Sequence, residues 1–238
     1  MRYNLDMKRV VLLGFGIDLC GFDEAVEFIQ AKRGQVVTIN PEMMDFAQKN
    51  EYFAQIIKEA ELVIPDGIGV QIGLKIMGYN TKRIPGVEFA RKLIDACAGE
   101  PFAMVGAKPE VVEKAADNLK KEVPNLNLVY LHDGYFSDDK VIMDELVSAK
   151  PSLVLVALGS PKQEEFIYKL KKELPEAIMV GVGGSFDVWS GMVKRAPEVY
   201  QKLGLEWLYR TVKEPKRFKR IFPALPLFVL KVLKEKWS

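Results

Sequence analysis

The sequence predicts an α/β protein: a mostly parallel sheet with helices on both faces, extended by a basic, apolar helical segment at the C-terminus. Short runs rich in β-branched and other apolar residues alternate with stretches whose apolar residues recur at helical spacing. This alternation predicts right-handed crossovers between parallel strands. The predicted strands are 9–13, 35–39, 62–64, 102–105, 126–130, 153–158 and 178–182.

The predicted strands have the composition of a sheet that is covered on both sides. The run at 153–158 is Leu-Val-Leu-Val-Ala-Leu, which is apolar on both faces of a strand. Amphipathic stretches at 23–32, 110–121 and 162–172 supply covering helices. We therefore predict a Rossmann-like α/β domain over residues 1–203 and an appendage over 204–238.

Composition is that of an ordinary globular protein. The 238 residues are 49% hydrophobic and 28% charged, and the two cysteines, Cys20 and Cys97, lack metal-site spacing. We interpret these cysteines as buried thiols in a reducing compartment. The N-terminus does not have the pattern of a signal peptide, and no run reaches the ~18 apolar residues of a membrane span. A cytoplasmic protein body is expected.

Charge is unevenly distributed along the chain. The net charge is +2, but residues 204–238 hold nine Lys/Arg and three Asp/Glu, so this segment carries +6 and the rest carries −4. Because residues 221–230 are apolar, an anionic membrane surface fits the segment better than nucleic acid does. The alternatives are a C-terminal helix packed on the core and a contact within a homo-oligomer.

Polar residues and glycines cluster directly after the predicted strands. In an open α/β sheet, ligands bind outside the carboxyl ends of the strands, so a ligand site is predicted at this edge. The candidate residues in these loops are Thr38, Asn40, Asp66, Gly106, Lys108, Tyr135, Gly159, Gln163, Gly183, Gly184 and Asp187.

Asp66 and Asn40 each have two interpretations. A carboxylate at a strand end, as at Asp66, can act as a general base on a hydroxyl, but it can also cap a helix or sit in an Asp-Gly turn. Asn40 before Pro41 is fully explained as a helix N-cap, and the second interpretation is a ligand contact. Thr38 lies two residues before Asn40 and points to the same side of an extended chain.

Several features suit an anionic ligand. The segments 106–109 and 159–163 each place a glycine just before a helix start, where free N–H groups bind anions, and Lys108 is a candidate phosphate contact. Arg83 is either a solvated surface charge or an anion contact. Arg210, Arg217 and Arg220 are spaced by seven and three residues, which aligns them on one helical face, although Pro215 interrupts that face.

Several enzyme classes are disfavoured. The glycines at 14 and 16 lack the third glycine at 19 that a GxGxxG dinucleotide site requires, so a dehydrogenase is disfavoured. The chain contains no GxxxxGK[ST] phosphate loop, which disfavours a P-loop NTPase. His132 is its only histidine, which disfavours a serine–histidine triad and a multi-histidine metal site. It also contains no DxD pair to hold a nucleotide-bound metal, so no metal is expected.

The ordered motifs resemble the WecG/TagA/CpsF family of bacterial glycosyltransferases over nearly the whole chain. Two departures are mild: Glu88 stands where Asp is usual, and the segment after Pro215 is lysine-rich. The matching segments are 38–42 (TINPE), 65–69 (PDGIG), 83–86 (RIPG), 134–136 (GYF), 159–164 (GSPKQE), 181–187 (GVGGSFD), 195–197 (RAP), 204–210 (GLEWLYR) and 214–215 (EP).

The resemblance implies a reaction and its substrates. Members transfer a sugar, with inversion, from UDP to undecaprenyl-diphosphate-linked N-acetylglucosamine, without a metal or other cofactor. The sugar is N-acetylmannosamine in teichoic acid synthesis, and N-acetylmannosaminuronic acid in another branch. Other UDP-hexoses, or a non-catalytic membrane-associated nucleotide-binding module, remain alternatives. The expected location is the inner face of the bacterial cell membrane, with residues 1–203 catalytic and 204–238 associating with the membrane.

The resemblance also suggests roles for the candidate residues. Asp66 is the expected base, since inversion requires a group that deprotonates the acceptor hydroxyl. Arg210, Arg217 and Arg220 would replace a metal in stabilising the departing UDP. The other residues are assigned to the part of the substrate that each would bind. The sugars are assigned to Thr38, Asn40, Arg83 and Gln163, and uridine and ribose to Tyr135 and Asp187.

Overall fold

The computed structural model describes residues 7–197, 199–200, 208–209 and 218–237, and the side chains of 218–224 lie outside that description. Its strands are β1 Lys8–Leu12, β2 Phe15–Leu19, β3 Gly34–Ile39, β4 Leu62–Pro65, β5 Pro101–Gly106, β6 Asn127–His132, β7 Leu153–Ala157 and β8 Ile178–Gly181. Its helices are α1 Phe22–Lys32, α2 Pro41–Ala47, α3 Glu51–Lys58, α4 Ile68–Ile76, α5 Gly86–Ala96, α6 Pro109–Glu122, α7 Asp139–Ala149, α8 Lys162–Leu170, α9 Ser185–Trp189 and α10 Phe218–Lys236.

The central sheet has six parallel strands in the order β4-β3-β8-β7-β5-β6, which confirms the predicted fold class. From β5 the chain moves outward to β6, whereas from β7 it moves the opposite way to β8. The chain therefore leaves β5 and β7 in opposite directions, which is the topology of the ligand-binding switch point in doubly wound sheets.

The strands β7 and β8 show how the sheet organises the core. Leu153 and Leu155 of β7 face a cluster that includes residues of α1, α5 and α6, while Val154 and Val156 face a cluster with α7 and α8. All residues of β7 and β8 are buried. Helices on both faces explain why these strands are continuously apolar rather than alternating.

The first predicted strand does not belong to this sheet, so its assignment to the parallel sheet was wrong. Strands β1 and β2 form a separate antiparallel hairpin in which Leu12 pairs with Phe15. The two turn residues, Leu13 and Gly14, have φ of 51° and 85°, as in a type I′ turn. Asp18 joins the hairpin to the sheet, because its Oδ2 accepts the N–H of Val63 at 2.7 Å.

Helix α10 packs on α4 and α2, in agreement with the alternative of a C-terminal helix on the core. Phe228 and Val232 are buried in the same apolar cluster as α2, α3 and the hairpin. Close approach is allowed at Gly73 of α4, where an added Cβ would lie 3.0 Å from the Phe228 ring. Lys231 pairs with Asp45 of α2 at 2.7 Å. The predicted boundary at 203/204 lies outside the described residues.

Candidate active site

The ends of β3 and β4 bring three predicted site residues together. Thr38 is paired with Ile64 in the parallel register, and the N–H of Asp66 donates to the carbonyl of Ile39 at 2.9 Å. Thr38, Asn40 and Asp66 therefore lie on adjacent strand ends. All three are half-buried, which leaves each side chain partly accessible at the edge of the sheet.

Arg83 is brought to the same edge by the loop between α4 and α5. The N–H of the next residue, Ile84, donates to the carbonyl of Pro65 at 2.8 Å, so this loop runs beside the end of β4. Helix α5 begins close by: a Cβ added to Gly86 would lie 3.2 Å from Cγ2 of Thr38. Arg83 is half-buried. The β3–β4 half of the edge thus collects Thr38, Asn40, Asp66 and Arg83.

The two conventional capping interpretations have different outcomes. Asn40 is the N-cap of α2, and its Oδ1 accepts the N–H of Met43 at 3.0 Å. Asp66 is not the N-cap of the helix that follows it, since that position is Gly67, with a φ of 82° and no side-chain capping bond. The left-handed conformation at Gly67 suits glycine and turns the chain sharply after Asp66.

The loops after β5, β6 and β7 are joined by their main chains. The N–H of Ala107 donates to the carbonyl of Ala157 at 2.9 Å, and the N–H of Gly134 donates to the carbonyl of Ala107 at 2.8 Å. Gly106 has a φ of 122°, and a Cβ there would lie 2.4 Å from the carbonyl oxygen of Ala157. Gly106 is therefore required by backbone geometry and by the space available.

Lys108 and Tyr135 are the accessible side chains of these joined loops. Lys108 is exposed and is the N-cap residue of α6, and Pro109 follows at the first helical position. Tyr135 is 71% exposed, and its N–H donates to Oδ1 of Asp133 at 2.7 Å, which fixes the local turn. A projecting aromatic ring beside a cation can receive a base and a phosphate.

The loops after β7 and β8 are joined through Gln163. Its Oε1 accepts the N–H of Gly159 at 3.2 Å and the N–H of Gly183 at 3.0 Å. Gln163 is only 5% exposed, so the structure buries a residue that the sequence predicted to contact sugars. Gly184 and Asp187 lie at the start of α9, and both are accessible at least in part.

Glu164 belongs to the 159–164 segment and is a buried carboxyl that the predicted site residues do not include. It is 3% exposed, and its Oε1 accepts a hydrogen bond from Nε2 of Gln163 at 2.8 Å. Burial raises the pKa of Glu164 to about 7, although hydrogen bonds from Gln163 and Ser160 oppose this shift. A sequence signal existed: Glu164 lies three residues before the apolar Ile167, on a buried helix face.

The site spans the whole edge of the sheet. Five strand spacings of about 4.8 Å separate β4 from β6, so the ends of these two strands lie about 24 Å apart. The loop that carries Tyr135 turns back from β6 toward β5, where the N–H of Gly134 donates to the carbonyl of Ala107. Gly183, after β8, is two spacings or about 10 Å from Asp66. A ligand that contacts both ends of this sheet edge must therefore be elongated, with its different parts bound by different residues.

The side chains of the three tail arginines lie outside the part of the chain that the structure describes. Arg210 and Arg217 lie outside the described residues, and Arg220 lies in α10 with its side chain outside the description. In contrast, the departure noted at Glu88 has a structural partner. Its Oε1 accepts a hydrogen bond from Arg195 at 3.0 Å, which connects the motif at 195–197 to the first turn of α5.

Two kinds of feature are absent from the described residues, a metal-ligand cluster and a membrane-spanning helix. Within 7–197 and the shorter described segments, no three His, Cys, Asp or Glu side chains are grouped as metal ligands would be. Among the helices that the structure describes, none combines the length and apolar character needed to cross a bilayer.

Comparison with known proteins identifies the family. Residues 10–238 match the glycosyl transferase WecG/TagA/CpsF family model. Similar proteins include an N-acetylglucosaminyldiphosphoundecaprenol N-acetyl-beta-D-mannosaminyltransferase from Bacillus spizizenii, 36% identical over 86% of this chain and 80% of the relative. Enzymes with the same name from Bacillus subtilis and Staphylococcus aureus are 35% and 34% identical, over 87% and 84% of this chain and 82% and 80% of their own lengths. The chain therefore belongs to the WecG/TagA/CpsF family of glycosyltransferases.

Proposed function

We propose that this protein transfers N-acetylmannosamine from UDP-N-acetylmannosamine to undecaprenyl-diphosphate-linked N-acetylglucosamine, an early step in teichoic acid or related surface polysaccharide synthesis. The observation that carries the proposal is the agreement of three relatives that share this activity in their names, each matched over at least four-fifths of its length. The proposal includes no metal and no other cofactor.

In the proposed reaction, Asp66 is the general base. The acceptor hydroxyl loses its proton to the Asp66 carboxylate while its oxygen bonds to the anomeric carbon of the donor. The bond from that carbon to UDP breaks, and its electron pair remains on the diphosphate oxygen. Attack opposite the leaving group inverts the anomeric carbon. The half-buried position of Asp66 beyond the end of β4, outside the N-cap of α4, supports this role.

The polar neighbours of Asp66 suit the sugars. Thr38 and Arg83 lie on the same edge, and each can donate hydrogen bonds to hydroxyl or acetamido oxygens. Asn40 uses Oδ1 to cap α2, which leaves its amide N–H groups as the donors it can offer to a ligand. These contacts would orient the acceptor hydroxyl toward the anomeric carbon.

The opposite half of the edge suits UDP. Lys108 supplies a cation for the diphosphate. Gly106, Gly159, Gly183 and Gly184 leave room for the diphosphate to approach the main chain, although the N–H groups of Gly159 and Gly183 themselves donate to Gln163. In the proposed site, uridine packs on Tyr135 and Asp187 holds the ribose. The basic tail completes the assignment, with Arg210, Arg217 and Arg220 stabilising the leaving diphosphate.

Helix α10 carries the proposed membrane contact at the inner face of the cell membrane. While Phe228 and Val232 face the protein, the opposite face exposes apolar side chains at a spacing of three to four residues. Exposed apolar residues flanked by lysines suit an interfacial helix on an anionic leaflet. The exposed apolar residues are Leu227 (55%), Leu230 (62%), Leu233 (38%) and Trp237 (83%).

The reaction can be tested directly with purified full-length protein. A lipid-linked N-acetylglucosamine acceptor is incubated with UDP-N-acetylmannosamine, UDP-N-acetylmannosaminuronic acid, UDP-N-acetylglucosamine or UDP-glucose, and UDP release is measured. We expect acceptor-dependent release with UDP-N-acetylmannosamine in excess of the other donors. Preference for another donor would refute the assigned sugar. UDP binding without release from any donor would instead favour the non-catalytic module.

The membrane contact can be tested separately by sedimentation with anionic liposomes. Leu230→Glu introduces a charge on the outward face of α10 without removing a buried side chain, so weaker sedimentation is expected. The matched control is Val129→Glu, because Val129 is also exposed (38%) but lies on β6. Equal sedimentation of wild-type protein and Leu230→Glu would rule out this face as the membrane contact.

A further inference from the structure

Three polar residues are buried together beneath the loops that follow β7 and β8. Gln35, Gln163 and Glu164 are 0%, 5% and 3% exposed. Gln35 comes from β3, whereas Gln163 and Glu164 come from the first turn of α8. Buried polar groups are costly unless they are hydrogen-bonded, so the bonds within this cluster indicate what it does.

The amide of Gln163 is occupied at both ends. Its Oε1 accepts N–H groups from Gly159 and Gly183, and its Nε2 donates to Glu164 at 2.8 Å. Rotating this amide by 180° would turn Nε2 toward two N–H donors and would break all three bonds. The Glu164 carboxyl, by accepting from Nε2, selects the orientation in which both loops are held.

Gly181 provides the space for this arrangement. A Cβ added at Gly181 would lie 2.5 Å from Nε2 of Gln163 and 2.8 Å from its amide carbon. Any larger residue at 181 must therefore displace the amide. This close approach explains a glycine of the 181–187 motif to which no other role has been assigned.

The chemistry of the cluster indicates a protonated carboxyl. Glu164 Oε2 and Gln35 Oε1 are buried acceptors, and neither has a hydrogen-bond partner that meets normal geometry within the described residues. Gln35 is bonded to the main chain of the same residue, because its Nε2 donates to the main-chain carbonyl of Glu164 at 3.2 Å. A proton on Oε2 would convert one of these acceptors into a donor, and the raised pKa of Glu164 agrees with this.

We propose that Glu164 is a positioning residue that fixes the Gln163 amide and thereby holds the loops after β7 and β8 in the shape that receives the diphosphate of UDP. This inference rests on the proposed function. Gln163 then acts by shaping the loops rather than by contacting the sugars. The joined loops contain Gly159, Gly183 and Gly184, which are all candidates for diphosphate binding.

The test compares two substitutions of Glu164. In Glu164→Gln, the amide oxygen can still accept from Nε2 of Gln163, so the orientation of the Gln163 amide is retained. Glu164→Met has similar length but accepts no strong hydrogen bond. The matched control is Glu165→Gln, which removes the half-buried neighbouring carboxylate. The measurements are the Kd for UDP by calorimetry, KM and kcat with the UDP-sugar, and the thermal midpoint.

We expect the Kd for UDP and the donor KM to rise about tenfold in Glu164→Met, with kcat within about twofold of the wild type. Glu164→Gln and Glu165→Gln should both retain wild-type Kd within about twofold. Wild-type affinity in folded Glu164→Met would overturn the inference, as would equal weakening by Gln and Met. Lack of UDP binding by the wild type would overturn this inference together with the proposed function.

A second variant covers the case in which Glu164→Met does not fold. Gly181→Ala moves the Gln163 amide while leaving Glu164 in place. It should raise the Kd for UDP in the same direction. Folded Gly181→Ala with wild-type affinity would overturn the inference, because the amide would then have moved without consequence for the loops.

Discussion

The two halves of the strand-end edge differ in what they offer a ligand. The β3–β4 half presents polar side chains, with Thr38, Asn40 and Asp66 at the ends of adjacent strands and Arg83 in the loop that runs beside β4. The β5–β8 half is built mainly from main-chain hydrogen bonds and glycines, as at Gly106 and Gly134. A side chain can be replaced without moving the backbone, whereas a glycine in a tight loop cannot.

This difference matches the two parts of the proposed reaction. Proton transfer at the acceptor hydroxyl requires a titratable group, and the proposed base, Asp66, lies in the β3–β4 half. Holding a nucleotide diphosphate requires space for it to approach the main chain closely, which glycine loops supply. Substitutions in the first half should therefore alter kcat, and substitutions in the second half should alter the Kd for UDP.

The largest effect is expected for Asp66→Asn, which preserves shape and removes basicity. We expect kcat to fall by roughly 10²–10⁴-fold, the range typical of general-base loss, while the Kd for UDP stays within about twofold. Turnover is measured by UDP release and affinity by calorimetry. Asp95→Asn, an exposed carboxylate of α5, is the control. Near-wild-type kcat in Asp66→Asn would remove the distinction between the two halves.

Gly106→Ala tests whether backbone geometry defines the second half. The substitution strains a φ of 122° and pushes Cβ against the carbonyl oxygen of Ala157, so we expect unfolding free energy to fall by about 3 kcal/mol. Gly159→Ala is the matched control, since its φ is 76° but no atom lies within 4 Å of the added Cβ. Gly159→Ala should lower the free energy of unfolding by only about 1 kcal/mol. Urea denaturation measures the unfolding free energy of both variants. Equal losses of unfolding free energy would show that the contact with Ala157 is unimportant.

Tyr135→Ala should weaken UDP binding about tenfold, because base stacking on an aromatic ring contributes about 1–3 kcal/mol. Since Tyr135 is 71% exposed, the thermal midpoint and kcat should change little. Tyr135→Phe keeps the ring and should bind UDP like the wild type. A loss of affinity shared by Ala and Phe would assign the contribution to the hydroxyl group rather than to stacking.

Asn40 is expected to show the smallest effect, and it separates capping from substrate contact. Asn40→Ala removes the cap of α2 and should lower unfolding free energy by about 1 kcal/mol. Asn40→Ser restores a capping oxygen but shortens the side chain, so stability should recover while the acceptor KM remains raised. If Asn40→Ser restores both the unfolding free energy and the acceptor KM, the role of Asn40 is structural only.

Much of the fold was predictable because its signals are local. Apolar runs such as 153–158 and polar residues directly after them predicted both the parallel sheet and the edge that carries the site. The run at 9–13 has the same local pattern, yet it pairs with residues 15–19 rather than with the sheet. The local feature that distinguishes the hairpin from a sheet strand is the two-residue turn at Leu13–Gly14. Gly14 also belongs to the incomplete GxGxxG pattern, so its glycine has a second explanation in the sequence.

The connection that Gln163 makes between two loops was not predictable, because it depends on how β7 and β8 are aligned with α8. The sequence shows Gln163 after a glycine loop, which fits both a ligand contact and a connection between loops. The tail presented a similar ambiguity. Helix α10 is apolar on two faces, with Phe228 buried and Leu230 exposed, and a sequence pattern does not tell which face meets protein.

A double-mutant cycle between Asp66→Asn and Tyr135→Ala tests the division of the site most directly. The wild type, both single variants and the double variant are measured for kcat and for the Kd of UDP. We predict that Asp66→Asn accounts for the whole loss in kcat, that Tyr135→Ala accounts for the whole loss in UDP affinity, and that the double variant shows both, with coupling below about 0.5 kcal/mol. Coupling above about 1 kcal/mol, or a comparable loss of kcat in Tyr135→Ala alone, would contradict the assignment of chemistry and nucleotide binding to separate halves.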